Sequence, residues 1–431
     1  MSAFLGMRGT GDWVTDQRPK NWRETILYLY PNGSAPLTAI LSKMKEEKVD
    51  DPEFNWWTKT LPSQGGAIVA TEIYTDATMA TKLAAAATIG QILYVKVAEA
   101  VADEFRAGHQ VLLRDTSDYT VDVVAKVMAV HKNGASSCIT VKLLEADDNS
   151  TTHDLRDADR ILIIGNINPE GGSMPDAVSY DVEKIYNKTQ ILRTPLSITR
   201  TARLTRLRTG DAYREMKREA LELHSIEMEK AFMWSIMTEN IGANGKPERT
   251  MNGMVPVIKT YAAANCDDYS LNAAYSGQTW LQGGEEWFDT ILEQMFRYGR
   301  GEKLVFAGSG ALLGINRLAK SSGQIQLTPQ TTSYGLKIVE WMLPMGTIYI
   351  KTHPLFSYEV TNRNSMVIFE PEDISFRYIT DTTFFAEGEK QNTGYTRRDG
   401  TDEEYLTECS LEYHFPNGWG FLNGVGLDNN L

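Results

Sequence analysis

The sequence predicts an α+β fold built from several unlike parts, and three observations predict it. Between about Gly90 and Gly172, five short runs alternate apolar and polar residues with period two. At Asp211 one long amphipathic helix begins. From Tyr261 helical and strand patterns mix, and the chain ends in strands.

Taken in order, Met1 to about Pro62 is broken by prolines and glycines, which reads as an extended arm with one short helix near Leu37 to Lys45. Trp56 and Trp57 in FNWWTKTL are costly to leave in water, so the arm must lie against something. Ser63 to about Leu83 is rich in Gly, Ala and Thr and offers little to build a core from. The runs QILYVKVA, HQVLLRD, YTVDVVAKVMAVHKNG, CITVKLLE and ADRILIIG then suffice for a small barrel or sandwich, with Asn133-Gly134 marking a hairpin.

DAYREMKREALELHSIEMEKAFMWSIMTENIG starts on Asp211 as N-cap and stops near Gly242. Tyr213, Met216, Ala220, Leu223, Ile226, Met233 and Ile236 fall on one stripe, while Arg214, Lys217, Arg218, Glu222, Glu229 and Lys230 occupy the rest. A helix from Asp211 to Met237 spans roughly 40 Å at 1.5 Å per residue. Such a rod needs a long partner surface, because helices are stabilised mainly by packing. In GGEEWFDTILEQMFRYGRG, Phe288, Ile291, Leu292, Met295 and Phe296 keep helical spacing, and the strand-rich stretches GLKIVEWMLPMGTIYIKTHPLF and SMVIFEPEDISFRYITDTTFF follow.

Composition narrows function. The chain has 431 residues, 42% of them hydrophobic and 23% charged, which suits two to four domains with large cores. A net charge of -13 argues against a general nucleic-acid binder, which needs a basic surface. Cys138, Cys266 and Cys409 lie too far apart for a CxxC pair and predict a reducing compartment. No apolar stretch reads as a signal peptide or a membrane span, so an intracellular product with no membrane partner is expected.

Three constellations invite chemistry. Gly308, Gly310 and Gly314 in KLVFAGSGALLGINRLAK sit near the dinucleotide fingerprint. A nucleotide fold would need a second βαβ half and an acid about twenty positions on. The polar loop SSGQIQLTPQTTSYG stands there instead, so a tight strand-turn-helix corner is expected and no cofactor. The loop holding Glu145, Asp147, Asp148, His153, Asp154, Asp157 and Asp159 lacks the glycine and alternation of a calcium loop, so it is read as a solvated hairpin loop with no metal. The histidines His109, His131, His153, His224, His353 and His414 are scattered, and no nucleophile, base and orienter assemble, so no catalytic residue is assigned. His224 is expected to be exposed or structurally paired, and His353 to be packing.

Arg193 to Arg218 carries Arg193, Arg200, Arg203, Arg206, Arg208, Arg214, Lys217 and Arg218 against Asp211 and Glu215. The segment is net +6 but lacks interleaved aromatics for base stacking. Pairing with acidic groups on a neighbouring subunit is the expected use.

The order of these regions, with YNKTQI, EMEKAFMWS, RTMNGMVP and GTIYIKTHPLF…MVIFEPEDISFRYI, resembles tailed-bacteriophage major capsid proteins of the Hong Kong 97-like fold. The resemblance covers nearly the whole chain. It implies an N-terminal arm at 1–62, an extended loop at 63–190 carrying a small β-barrel-like insertion at about 90–172, and a peripheral domain with a long spine helix at 191–260. It implies an axial domain at 261–356, whose loops meet around ring axes, and a return of 357–431 to the peripheral domain. It further implies a homo-oligomer of pentamers and hexamers in an icosahedral virion shell around double-stranded DNA. Decoration, scaffolding and portal proteins would be its partners, with assembly in the host cytoplasm. The alternatives are a shell protein of an encapsulating compartment and, through the glycines, a nicotinamide-dependent oxidoreductase.

Overall fold

The computed structural model describes residues 45–59, 62–117, 121–147, 155–205, 211–322, 327–333, 336–386 and 400–431. The arm up to residue 44, with the body of its expected helix, lies outside them. The chain divides into two units, 57–183 and 1–56 with 184–431.

The unit 57–183 is built on a closed six-stranded antiparallel barrel. Its strands are, in order around the barrel, Gly65–Tyr74, Ile92–Val97, Cys138–Leu143, Asp122–His131, His109–Arg114 and Arg160–Asn166. Alternate residues point inward, so Val111, Leu113, Val123, Ala125, Val127, Ile139, Val141 and Leu143 fill the lumen. Closure removes every strand edge.

The barrel starts upstream of the expected Gly90. Residues 63–83, read as poor in core material, supply Ile68, Ile73 and Leu83 to it. The reason is a bulge. Register shifts between Ile68 and Ile73, and Ala70 and Thr71 take positive φ, so period-two alternation breaks inside the strand. Two glycines let the same strand pack closely. A Cβ on Gly65 would stand 2.7 Å from the Ile161 carbonyl oxygen, and one on Gly66 2.5 Å from Val101.

Among the described residues the other unit is built on two larger sheets. A four-stranded sheet runs Glu46–Lys48, Ile374–Phe385, Gly400–Tyr413, Gln190–Thr199. The long helix Ala212–Trp234 packs on it through Ala220 and Tyr213, against Leu196 and Tyr405. Asp211 caps the helix as expected, its side chain accepting from Tyr213 N. The helix ends at Trp234, short of the expected Met237. Ser235 is already extended, and its carbonyl accepts from Gly253 N at 2.7 Å. A hairpin, Thr238–Ile241 with Pro247–Thr250, follows.

The seven-stranded mixed sheet runs Cys266–Asp268, Gly420–Asn423, Met366–Phe369, Glu302–Ala307, Gly346–Thr352, Leu336–Leu343, Leu327–Ser333. Helices Trp280–Phe296 and Ser309–Ser322 cover it, burying Trp280, Trp287, Phe288, Ala311 and Ile315 against strand residues Val305 and Ile348. The stretch 357–431, expected to rejoin the peripheral sheet as a whole, serves both sheets. Its strands Met366–Phe369 and Gly420–Asn423 pair antiparallel with each other in the seven-stranded sheet.

The two tryptophans of the arm also part company. Trp56 is buried in its own unit, edge-on to Tyr413 at 5.0 Å, so it needs no neighbour. Trp57 points the other way from the strand and is 62% exposed. Among the described residues no helix is long and apolar enough to cross a membrane.

Candidate functional site

Beneath the long helix lies a column of buried polar groups that the helical pattern concealed. His224 is fully buried, with Nδ1 2.9 Å from Thr194 Oγ1 and Nε2 2.7 Å from Thr407 Oγ1. Thr194 donates its hydroxyl to Glu227 at 3.2 Å, so it accepts from His224 Nδ1–H. Nε2 therefore accepts from Thr407, whose oxygen in turn contacts Thr382 at 2.9 Å. Burial lowers the His224 pKa below its ordinary 6.5, which keeps this neutral tautomer.

One turn and a half further on, Glu229 is fully buried although it was assigned to the polar face. Its Oε1 lies 2.8 Å from Nε2 of His353, also fully buried. His353 Nδ1 accepts from Leu355 N at 3.2 Å, capping the short helix Pro354–Tyr358. Nε2 must then carry the hydrogen and donate to Glu229. Phe306 and Phe356 pack on the imidazole, each 5.2 Å away. The contact ties the long helix to the end of the strand Gly346–Thr352. Both nitrogens of each histidine are thus engaged out of solvent, an arrangement that fixes orientation and offers no proton to a substrate.

A second buried pair pins the turn before Glu302–Ala307. Lys303 Nζ donates to Glu370 Oε1 at 2.5 Å and to Tyr298 O at 3.3 Å, and Glu370 also accepts from Arg300 N. Burial, and then Glu370, push the nearby Asp373 carboxyl up. Sequence reasoning missed both pairs, since neither Glu229 nor Lys303 breaks local polar patterning.

The glycine turn is filled by protein. A Cβ on Gly308 would lie 2.2 Å from Arg363 O, and one on Gly314 2.4 Å from Gly426 Cα. The Gly310 and Ala311 amides donate to Arg363 O, both at 3.1 Å, and Gly308 N to Ser365 O. The helix N-terminus that would face a pyrophosphate faces the segment 363–365 instead. This is the close-packed corner the residues predicted, and the oxidoreductase reading loses its cradle.

Among its described residues the acidic loop of the barrel unit does not converge either. Asp147 accepts from Leu155 N, Asp159 from Thr116 N, and Glu145 from Val124 N. Asp148, His153 and Asp154 lie outside the described residues, and among those described no group of three ligating side chains assembles.

Several cations of the basic segment have partners within their own chain. Arg193 pairs within its own chain with Glu404, donating from Nε at 2.9 Å, and Arg214 and Arg218 lie 3.6 and 3.9 Å from Asp211 and Glu222. Arg203 stacks on Tyr213 at 4.7 Å and Lys217 on Phe384 at 3.5 Å. Adjacent acids and rings on the same sheet and helix satisfy these cations at no cost in association entropy. Arg206 and Arg208 lie outside the described residues.

What the fold leaves open is surface. Leu223, expected on the packed stripe, is 54% exposed on the long helix, and Ile241 on the hairpin is 83% exposed. Between that hairpin and Thr189–Ile191 of the edge strand lies a groove of about 560 Å³ that also reaches Glu408.

These features have relatives. The family model described as SU10 major capsid protein matches residues 8–426. The chain is 24% identical over 439 residues to a major capsid protein of Pseudomonas phage PaMx41, covering 99% of this chain and 97% of that one. Among solved structures it is similar to that of Mycobacterium phage Cain, with a TM-score of 0.45, 8% identity and 99% and 96% of the two chains covered. It is also similar to the SrpI encapsulin complex of Synechococcus elongatus PCC 7942, with a TM-score of 0.39, 11% identity and 57% and 78% covered. The family model spans nearly the whole chain, and on that ground the compartment-shell alternative is weaker than the phage reading. The chain belongs to the SU10 major capsid protein family and is a capsid component of a phage virion.

Proposed function

We propose that copies of this chain close into pentamers and hexamers that tile an icosahedral Hong Kong 97-like shell around double-stranded DNA. The observation that carries the reading is the family match across residues 8–426. A contact between two different patches, repeated by rotation, closes a ring, and rings of two sizes tile a closed shell. In this reading 1–62 is an arm laid on a neighbour, and 63–190 is an extended loop over the next subunit with the barrel as its insertion. Residues 191–260 carry the spine helix, 261–356 meet around the ring axes, and 357–431 complete the sheets. The acidic composition lets DNA be enclosed without sequence-independent adhesion. Portal and scaffolding proteins would join in the host cytoplasm, decoration proteins would bind the barrel, and the chain performs no catalysis.

The test is expression of the full chain, followed by sedimentation and negative-stain microscopy. Closed shells with fivefold and sixfold rings are expected. Compact single chains alone, with scaffolding and portal partners supplied, would overturn the proposal.

A further inference from the structure

The helix Trp280–Phe296 presents Glu285, Glu286 and Asp289 outward and has no lysine or arginine along its length. Its following residue, Arg297, is taken by Glu293 at 2.6 and 2.8 Å. Among the described residues no ion pair reaches Glu285, Glu286 or Asp289. Like charges four residues apart on a helix oppose its stability, and Glu285 and Asp289 are so placed. Burial, and then Glu285, push the Asp289 carboxyl up. The fold keeps an unfavourable stripe that its own described residues do not neutralise.

The neighbouring helix Ser309–Ser322 shows the opposite face. It contains no Asp or Glu, and Leu313, Arg317 and Lys320 lie outward on one side while Ala311, Ile315 and Leu318 are buried. Among the described residues no carboxylate pairs with Arg317 or Lys320. The two helices meet through a different side, where Trp280 Nε1 donates to Gly314 O at 2.9 Å. Residues 313, 317 and 320 lie about 60–120° round the helix from Gly314, so the cationic stripe is not aimed along that contact.

We infer that the acidic stripe of Trp280–Phe296 docks on the basic stripe of Ser309–Ser322 of a second copy of this chain, a head-to-tail contact repeated around a ring. Charge complementarity selects the occupant. Two unlike, mutually complementary patches on one body make a heterologous contact, the kind that rotation closes. Leu281 and Leu313, 54% and 44% exposed, stand beside the two stripes and supply apolar contact between them. Rim charges of this kind govern association rate, salt dependence and choice of partner. The inference rests on the ring-forming reading above and adds which surfaces meet.

The test uses charge reversal in the full chain. R317E/K320E and E285K/D289K are each expected to lower ring and shell yield at least tenfold in sedimentation and microscopy, with circular dichroism unchanged. The chain carrying all four substitutions should recover ring and shell yield, and an equimolar mixture of the two doubles should recover six-membered rings alone, because opposite charges then meet only where the two variants alternate. Either double assembling like wild type, or no recovery in chain and mixture, overturns the inference. Should a reversal fail to fold, R317Q/K320Q and E285Q/D289N are read instead by the salt dependence of assembly. A flattened dependence supports the contact and an unchanged one overturns it. Wild type that never forms rings defeats the ring reading itself, whereas wild-type rings indifferent to the swaps defeat only this contact.

Discussion

Replacing His353 by Ala tests whether the buried pair under the long helix fixes its seat. Both His353 and Glu229 are fully buried and 2.8 Å apart. Truncation removes a hydrogen bond to a carboxylate that cannot move to water, and breaking such a buried pair costs about 3–5 kcal/mol. Loss of the Nδ1 cap on Leu355 N falls within that range, since a cap contributes about 1 kcal/mol. With a urea slope of about 3 kcal/mol/M, the unfolding midpoint of the unassembled chain should drop by roughly 1–1.7 M. Glu229→Gln is the control. Its amide oxygen still accepts from Nε2–H, so its cost should be near that of an ordinary hydrogen bond, about 1 kcal/mol. Circular dichroism in urea reads both variants. Equal midpoints for His353→Ala and wild type, or equal losses for the Ala and Gln variants, would refute the assignment of the His353–Glu229 hydrogen bond as what seats the helix.

Three further outcomes follow from packing and titration. Gly314→Ala places a Cβ 2.4 Å from Gly426 Cα and should cost about 1–3 kcal/mol by overpacking, read as a lowered urea midpoint. An unchanged midpoint would mean that the turn has room after all. His224 is held neutral by burial, so between its lowered folded pKa and the ordinary 6.5 the unfolded chain binds the extra proton and stability falls as pH falls. Denaturation at pH 8 and pH 5 should show a smaller loss for His224→Gln than for wild type; equal losses exclude His224 as the source. The fragment 62–183 contains the entire barrel core and should melt cooperatively by itself, whereas a gradual, non-cooperative trace would show that the core needs the rest of the chain.

Legibility in the sequence followed the range of the forces involved. Asp211 was readable because capping is a contact over two residues. The stop at Trp234 was not, because it depends on Gly253 closing onto Ser235 from eighteen positions away. Five barrel strands announced themselves by alternation, while Gly65–Tyr74 was hidden by a bulge that moves Ile68 and Ile73 out of phase. The corner at Gly308 to Gly314 was correctly read as packing from what its surroundings lacked, although nothing in the sequence named Arg363 and Gly426 as the atoms that fill it.

The buried acids mark the limit most clearly. A helical wheel puts Glu229 among polar residues, and the arrival of His353 from 124 residues downstream gives its buried carboxylate a donor. A carboxylate takes that place only where a distant donor is already fixed, so its local signal is the same as that of Glu222 or Lys230 on the solvated side. The unmatched stripe at Glu285 and Asp289 poses the converse case. There the charges stand in WLQGGEEWFDTILEQMF, but their meaning appears only once the fold shows that Arg317 and Lys320, which no carboxylate among the described residues pairs, sit on a neighbouring helix whose glycine side, not its charged side, makes the contact. A sequence can display a charge without an answer; deciding whether that answer lies within the chain or on another copy takes the packing direction of both helices.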